Sequence, residues 1–555
     1  MQRRHFLKTG VLAGGALLFG EHLSLAAPMD SRVEVLLDEP VGTISPNIYG
    51  QFIEHVGAVI YDGVWVGEGS KIPNVGGIRQ QMVESLRQIQ VPVIRWPGGC
   101  FADSYDWRDG VGQPGKRPAR TNFWVDDPEV NWKRPVGNAV QHYETNVFGT
   151  DEFMRLCHLT GAQPYLAANL RSLPALNFDR WVEYCNSPAG STTLAQERAA
   201  NGSRDPYNVR LWGVGNETWG CGGDFSPEQY ASEFRRFTSW VPNYGLNLAF
   251  VGSGPNDNDL DWTNRFFEHI LRDRPDGDLG NSFFGWSVHR YSWNLSRGRT
   301  DDWLAGKGDA LNFDTTDWYE MFLQGNYIEQ IITEQWGVMG SYDPEHRVKL
   351  VVDEYGPWYR PGTALDPIHL AGQQVTLRDA ILTAFTLDIF NRHAEKMGLA
   401  ANAQLVNCLN ALFFTHEDRF VVTPNFYVFQ MYAAHQGAQA VRAEFSAPDV
   451  SYMRDGKPAR FWGLKGSASR KGKAVTLTVV NPSADTPRQA EVVVRGGRLS
   501  GAVASVLTST DLHAHNTFEH QAITEPKTEP VNVSEKGFTF SFPPASVTRL
   551  SITLS

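Results

Sequence analysis

Leu211-Trp-Gly-Val-Gly-Asn-Glu217, followed nine residues later by Ser226-Pro-Glu-Gln229, holds the repeating unit of the fold. The first half is a short apolar run ending on polar residues, the pattern of a buried strand with side chains to spare at its C-terminal end. The second half is a capping box with proline at the first helical position. It opens a helix whose Tyr230, Phe234 and Phe237 share one face. The same unit recurs in both directions. Ile78, Met82, Val83, Leu86 and Ile89 mark a helical face, and Val91-Pro-Val-Ile reads as a strand ending at Arg95. A helix starting at Thr150-Asp151 packs Phe153, Leu156, Cys157 and Leu159 and stops at Gly161; the run from Tyr165 then ends at Asn169. Further strands are expected at 248–252, 284–288, 349–352 and 403–409, with 44–52 as the first. Helices between short buried strands require a parallel sheet with crossovers. Eight strands predict an α/β fold, a (β/α)8 barrel over about residues 45–435. The Trp-rich stretch 107–132 is expected as a long loop at its mouth.

After residue 435 the period changes to two. Ala474-Val-Thr-Leu-Thr-Val-Val, Ala490-Glu-Val-Val-Val and Gly537-Phe-Thr-Phe-Ser-Phe alternate between turns. They predict a C-terminal antiparallel β-sandwich over 436–555, joined by an early strand in 28–44. The first 27 residues read as an address: Arg3-Arg4-His-Phe-Leu-Lys8, an apolar run, then Ser24-Leu-Ala26. That pattern predicts a twin-arginine signal and export of the folded protein to the periplasm or medium.

The 555 residues carry 50 basic and 61 acidic side chains, a net charge of −11. The N-terminal segment is net +2 (Arg3, Arg4 and Lys8 against Glu21), which leaves −13 on the remainder. This charge argues against nucleic acid or an anionic membrane as partner. Aromatic residues make up 12%, with 17 Trp; core packing and sugar stacking both account for them. Cys100, Cys157, Cys185, Cys221 and Cys408 contain no C-x-x-C pair, so zinc and thioredoxin-like readings lack their spacing. One or two disulfides are compatible with an oxidising compartment, but spacing does not choose them. His513, His515 and His520 lie in the sandwich without a carboxylate in ligand spacing, and Cys157-His158 points two ways from one helix. Neither suggests a site, and no metal or cofactor is implied.

Barrel chemistry sits at the C-terminal ends of the strands. Glu217 and Glu354 close strands four and seven, which face each other across such a barrel. Two carboxyls about 5–5.5 Å apart are what a retaining glycosidase needs, one as nucleophile and one as acid then base. Around them, Arg95 ends strand two before Gly98-Gly99, Asn216 precedes Glu217, and His289-Arg-Tyr291 ends strand six. Glu54 follows strand one and Gln404 opens strand eight. Core packing is the competing account of His289 and Tyr291.

Five ordered motifs then resemble the α-L-arabinofuranosidases of glycoside hydrolase family 51. They are Ile48-Tyr-Gly-Gln-Phe-Ile-Glu54-His-Val-Gly, Arg95-Trp-Pro-Gly-Gly-Cys-Phe-Ala-Asp through Gly112, Gly215-Asn-Glu-Thr-Trp, Val352-Asp-Glu-Tyr-Gly and Ala401-Asn-Ala-Gln404-Leu-Val-Asn. Stretches near Thr423–Tyr432 and Ala514–Phe518 are similar to that family's late motifs. The resemblance implies a retaining exo-glycosidase that releases terminal arabinofuranosyl residues from arabinan or arabinoxylan oligosaccharides. Glu217 would be acid/base and Glu354 nucleophile. Glu54, Arg95, Asn216, His289, Tyr291 and Gln404 would surround the sugar ring, with Trp358 stacking nearby. Cys100 is also placed at the substrate, although many family members carry Asn there. A trimer or hexamer is implied in the same way. The alternatives are a β-xylosidase or endo-β-glucanase in the same barrel, or a non-catalytic carbohydrate-binding protein.

Overall fold

The computed structural model describes residues 29–126, 143–272, 279–280, 282–362 and 369–555. Eight parallel strands close into a barrel: β1 (Gly50–Phe52), β2 (Val93–Trp96), β3 (Gln163–Ala168), β4 (Leu211–Val214), β5 (Ala249–Ser253), β6 (Phe283–Ser292), β7 (Lys349–Pro357) and β8 (Met397–Ala403). Local sequence explains most of the crossovers. Helix Thr150–Thr160 ends where Gly161 takes φ 81°, a left-handed cap that glycine adopts without a Cβ penalty. Helix Pro227–Thr238 starts on the expected capping box: the Ser226 hydroxyl accepts from the Gln229 N–H, and Gln229 Oε1 accepts from the Ser226 N–H. Tyr230, Phe234 and Phe237 are buried beneath it.

Three expectations are corrected. The first strand is only Gly50–Phe52, because a 3-10 turn occupies Pro46–Tyr49; Pro46 has no N–H to give a central ladder. The last strand is Met397–Ala403, ahead of the expected 403–409. Its Gly and Ala residues give little apolar signal, yet small residues are what the seam tolerates: a Cβ on Gly50 would meet the Ala400 carbonyl oxygen at 2.5 Å. The more apolar Leu405 and Val406 are buried in the loop beyond it. Finally, the 107–132 stretch is at the mouth in part: Trp124 lines the cavity there, but Trp107 does not. It is buried, stacks on Trp181 at 6.3 Å and donates to the Asn177 carbonyl; Trp132 lies outside the described residues.

The strand Ser31–Thr43 belongs to a second sheet, pairing antiparallel with Gln439–Ser446 and parallel with Arg488–Arg495. That nine-stranded sheet folds over its own core, which includes Val33, Leu477, Val492, Phe540 and Leu550. It docks on barrel helix Leu377–Arg392, where buried Asp388 accepts from Ser467, Thr478 and Tyr432. No helix among the described residues is long and apolar enough to cross a membrane.

One irregularity in the barrel shapes the site. Between β6 and β7, Ser287 pairs with Val351 and His289 with Glu354, so β7 carries one residue more than its neighbour. The same excess appears against β8, between Val352–Ala400 and Tyr355–Asn402. A bulge of this kind re-aims side chains. Successive residues Asp353 and Glu354 both reach groups in the barrel interior.

Candidate active site

A cavity of about 550 Å³ opens at the C-terminal ends of the strands. Glu54, Glu217, His289, Tyr291, Glu354 and Gln404 line it. Arg95 and Asn216 lie behind Glu354, both nearly inaccessible to water. Thus all the carboxylates, the histidine and the amides expected at the site converge on one place, as does Trp358. Trp358 meets Tyr291 edge-on at 4.9 Å and Trp303 at 4.8 Å. Trp124, Trp219 and Trp293 extend the wall. The Trp excess is therefore divided between core and cavity, and only position distinguishes the two.

Glu354 is held by donors on two sides. Arg95 Nη1 donates to its Oε1 at 2.8 Å, and the Tyr291 hydroxyl donates to its Oε2 at 2.8 Å. Arg95 Nη2 donates to Asn216 Oδ1 at 2.6 Å, so one guanidinium ties strand two to strands four and seven. Its plane lies 4.7 Å above the Phe52 ring. Gly99 leaves the room: a Cβ there would stand 2.6 Å from Glu354 Oε1.

Glu217 lies just past β4, at φ 40°, a left-handed backbone conformation uncommon outside glycine and costly unless its surroundings enforce it. The preceding residue is fixed by Asp103, whose Oδ2 accepts the Asn216 N–H at 3.0 Å while Oδ1 accepts those of Leu170 and Arg171. Burial pushes the Asp103 carboxyl up to about 7 against the pull of those donors. His289 Nδ1 lies 3.0 Å from Glu217 Oε1 and 3.6 Å from Glu354 Oε2, and its Nε2 lies 3.2 Å from Asp353 Oδ1. Burial alone would lower its basicity; Glu354, Asp353 and Glu217 outweigh that and carry it up to about 10.

Glu54 is buried beside this group. It accepts from the Phe101 N–H and from Gln404 Nε2, each at 3.0 Å. Burial first, and then the Glu354 charge, push its carboxyl up to about 8.

Cys100 is present at the cavity but not as a thiol. It forms a disulfide with Cys221 across Cα atoms 5.5 Å apart, a pairing that cysteine spacing leaves open. The two sulfurs flank Glu217 Oε2 at 3.9 and 3.7 Å. The bridge links the loops after strands two and four, two stretches that lie far apart in sequence. Oxygens of Glu217 and Glu354 and a His289 nitrogen lie within 4.8 Å of one another, but His289 is a donor to these carboxyls, so the group is ion-paired with itself. Cys157 is buried inside its helix and burial pushes its thiol up. His513 and His515 are spent on the Phe313 carbonyl and on the carbonyl of His513.

Comparison with known proteins places this geometry. Residues 85–276 match the α-L-arabinofuranosidase 1 domain and residues 353–546 the α-L-arabinofuranosidase C-terminal domain. An intracellular exo-α-L-arabinofuranosidase of Bacteroides ovatus is 34% identical over 523 residues, 94% of this chain and 95% of that protein. The crystal structure of a family 51 arabinofuranosidase from Xanthomonas axonopodis pv. citri superposes with a TM-score of 0.84 at 33% identity, covering 95% of this chain and all of the other. That of the Thermotoga maritima α-L-arabinofuranosidase in its arabinose complex gives 0.78 at 27% identity, covering 94% and 100%. One expectation falls here. The B. ovatus relative, matched nearly end to end, is named as intracellular, which points away from export; the paired arginines themselves lie outside the described residues. The relatives do not favour a xylosidase, a glucanase or a binding protein without turnover. The chain belongs to the α-L-arabinofuranosidases of glycoside hydrolase family 51 and is an exo-acting enzyme of that activity.

Proposed function

We propose that the enzyme works by double displacement, with Glu354 as nucleophile and Glu217 as acid and then base. The observation that carries this is the spacing of the carboxyls, whose oxygens approach within 4.8 Å. A retaining mechanism needs about 5–5.5 Å between the carboxyl groups, and an inverting one about 6.5–9.5 Å to admit a water. Surroundings assign the roles. Glu354 is buried, with Arg95 and Tyr291 as donors, a setting suited to an anion that attacks the anomeric carbon. Glu217 is the more accessible of the two, as suits a group that meets the leaving oxygen and then water. Glu54, Gln404, Asn216 and Arg95 offer hydrogen bonds to ring hydroxyls. Cys100 contributes wall rather than a donor.

Arabinan and arabinoxylan oligosaccharides are the proposed substrates. The cavity exceeds a single pentose ring, and its Trp faces suit further sugars stacked on the leaving side. Division of the chain near residue 435 into catalytic barrel and β-sandwich, and assembly as a trimer or hexamer, belong to the same reading; sedimentation of the purified enzyme tests the latter. The mechanism is tested with an aryl arabinofuranoside. Glu217→Ala is expected to form the covalent intermediate at near wild-type rate, stall there, and recover turnover with azide. Glu354→Ala is expected to gain only a product of inverted configuration. A retained azide product from the Glu354 variant would reverse the roles, and an inverted sugar from wild type would refute double displacement.

A further inference from the structure

The bulge in β7 puts a second carboxylate beneath the reacting pair. Asp353 is almost completely buried and does not itself line the cavity. Its Oδ1 accepts from the Ser287 hydroxyl and faces His289 Nε2 at 3.2 Å. Its Oδ2 accepts from the Tyr165 hydroxyl at 2.8 Å and faces Arg95 Nε at 3.5 Å. Arg95 Nε makes no hydrogen bond, so this ion pair is its contact with an anion. Asp353 therefore holds the inner end of both cations whose outer ends meet the reacting carboxyls: Arg95 on Glu354 and His289 on Glu217 and Glu354. An ordinary strand would have turned one of Asp353 and Glu354 out of the barrel.

The geometry points to Asp353 as a positioning residue for the reaction: its carboxylate fixes the orientation of the His289 ring and keeps that ring in its doubly protonated form between Glu217 and Glu354. This rests on the roles proposed for Glu217 and Glu354. With Nε2–H directed at Asp353, Nδ1 can donate to the ionised Glu354, and to Glu217 once that residue has lost its proton, only by carrying the second proton. A cationic ring then balances Glu354 before attack and Glu217 after it has given its proton to the leaving group. A neutral ring with its single proton on Nε2 would turn a lone pair toward both carboxyls. The charged and titratable groups around His289 are Glu217 from the loop after β4, Asp353 and Glu354 from β7, Tyr291 from its own strand, and Arg95 from β2 behind the carboxylates. The neighbouring Arg290, which also lines the cavity, is paired with Asp257 at 3.0 Å.

Asp353→Asn keeps the shape and removes the charge. The ring nitrogens of His289, followed by nitrogen-15 NMR and assigned by their loss in His289→Asn, are expected to stay protonated in the wild type to at least about pH 9, against about 6.5 for a free histidine. In Asp353→Asn they should titrate at least one pH unit lower. The alkaline limb of kcat/KM on an aryl arabinofuranoside should move down by a similar interval, so that the loss grows with pH. In a His289→Asn background, Asp353→Asn should not move the limb further. Unchanged His289 titration, or a loss of activity uniform across pH, would overturn the proposal and leave Asp353 a packing residue. Should Asp353→Asn not fold, the Glu217→Gln/Glu354→Gln double variant decides. Asp353 is then the remaining anion in contact with the ring, and His289 must still titrate well above 6.5; a return to the ordinary range overturns the inference. The NMR readout needs no substrate, so its failure is separable from failure of the assigned catalytic roles.

Discussion

Replacing Glu54 by glutamine is expected to stabilise the enzyme at alkaline pH and leave it unchanged in acid. Glu54 has almost no contact with water, and burial together with the Glu354 charge moves its carboxyl from an ordinary 4.5 to about 8. Between those values the folded protein keeps a proton that the unfolded chain has released. The stability tied to this group is therefore fully present below about pH 4.5 and lost as pH rises through about 8. The slope is about 1.4 kcal/mol per pH unit, or on the order of 5 kcal/mol across the window. Glutamine presents the same outline and no titration. It also matches the neutral acid's hydrogen bonding: Gln404 Oε1 lacks a partner, and a flipped Gln404 amide would accept either from a protonated Glu54 or from the amide that replaces it. The barrel strands and helices span Gly50 to Ala403. At about 2.1 cal/mol/K per residue, the slope converts to roughly 2 °C of Tm per pH unit. Scanning calorimetry of wild type and Glu54→Gln from pH 5 to 8.5 should show the gap widening in favour of the variant. A gap flat to within about 1 °C would mean that Glu54 is ionised in the folded enzyme and would refute the reasoning.

Two further outcomes follow from the same contacts. Gly99→Ala should lower kcat on the order of 10²-fold with little change in Tm, because its Cβ would lie 2.6 Å from Glu354 Oε1 and displace the proposed nucleophile by a fraction of an ångström or more; wild-type kcat in the purified variant would refute the close approach. The Cys100–Cys221 bridge closes a loop of 121 residues, for which chain entropy sets about 5 kcal/mol as the stabilisation. Cys100→Ser/Cys221→Ser should therefore unfold several degrees lower, while alkylation of the denatured, unreduced enzyme followed by mass spectrometry should find Cys157, Cys185 and Cys408 as its thiols. Finding all five cysteines alkylated without reductant would count against the bridge.

Most of the barrel was legible because its helices announce themselves. Ser226-Pro-Glu-Gln and Gly161 are local signals, read from neighbours in sequence, and both elements begin or end where those residues say. The strand seam was harder. Met397–Ala403 is written in Gly and Ala, chosen for closeness to Gly50, and no window of hydropathy reports a contact with a strand some 350 residues away. The site divides in the same way. Glu217 and Glu354 stand at strand ends and could be found from position alone. Asp353 sits in the motif that carries Glu354, but strand alternation directs it away from its neighbour; only pairing with β6 and β8 reveals the extra residue. The Cys100–Cys221 pairing was likewise beyond spacing arguments, since it depends on two loops meeting above the barrel.

Charge explains why these groups need one another. Four carboxyls (Glu54, Glu217, Asp353 and Glu354) meet two cations, Arg95 and His289, in a space largely closed to water. If all four carboxyls were ionised the cluster would hold a net −2, and a buried unpaired charge is among the most costly features a fold can carry. Glu54 relieves one unit by staying protonated up to about pH 8. Asp353 is drawn well below the usual carboxylate range, despite its burial, by Arg95 and His289, so it is a permanent anion that anchors both cations. With Glu354 as the second anion, the cluster is neutral when Glu217 carries a proton and −1 when it does not. Glu217 is the most accessible carboxyl of the four, its side chain 20% exposed against 8% for Glu354 and 3% for Asp353, and a transient charge is least expensive there. On the proposed roles, proton transfer to a departing sugar and back from water falls to the residue whose ionisation the surroundings can best accommodate in either state.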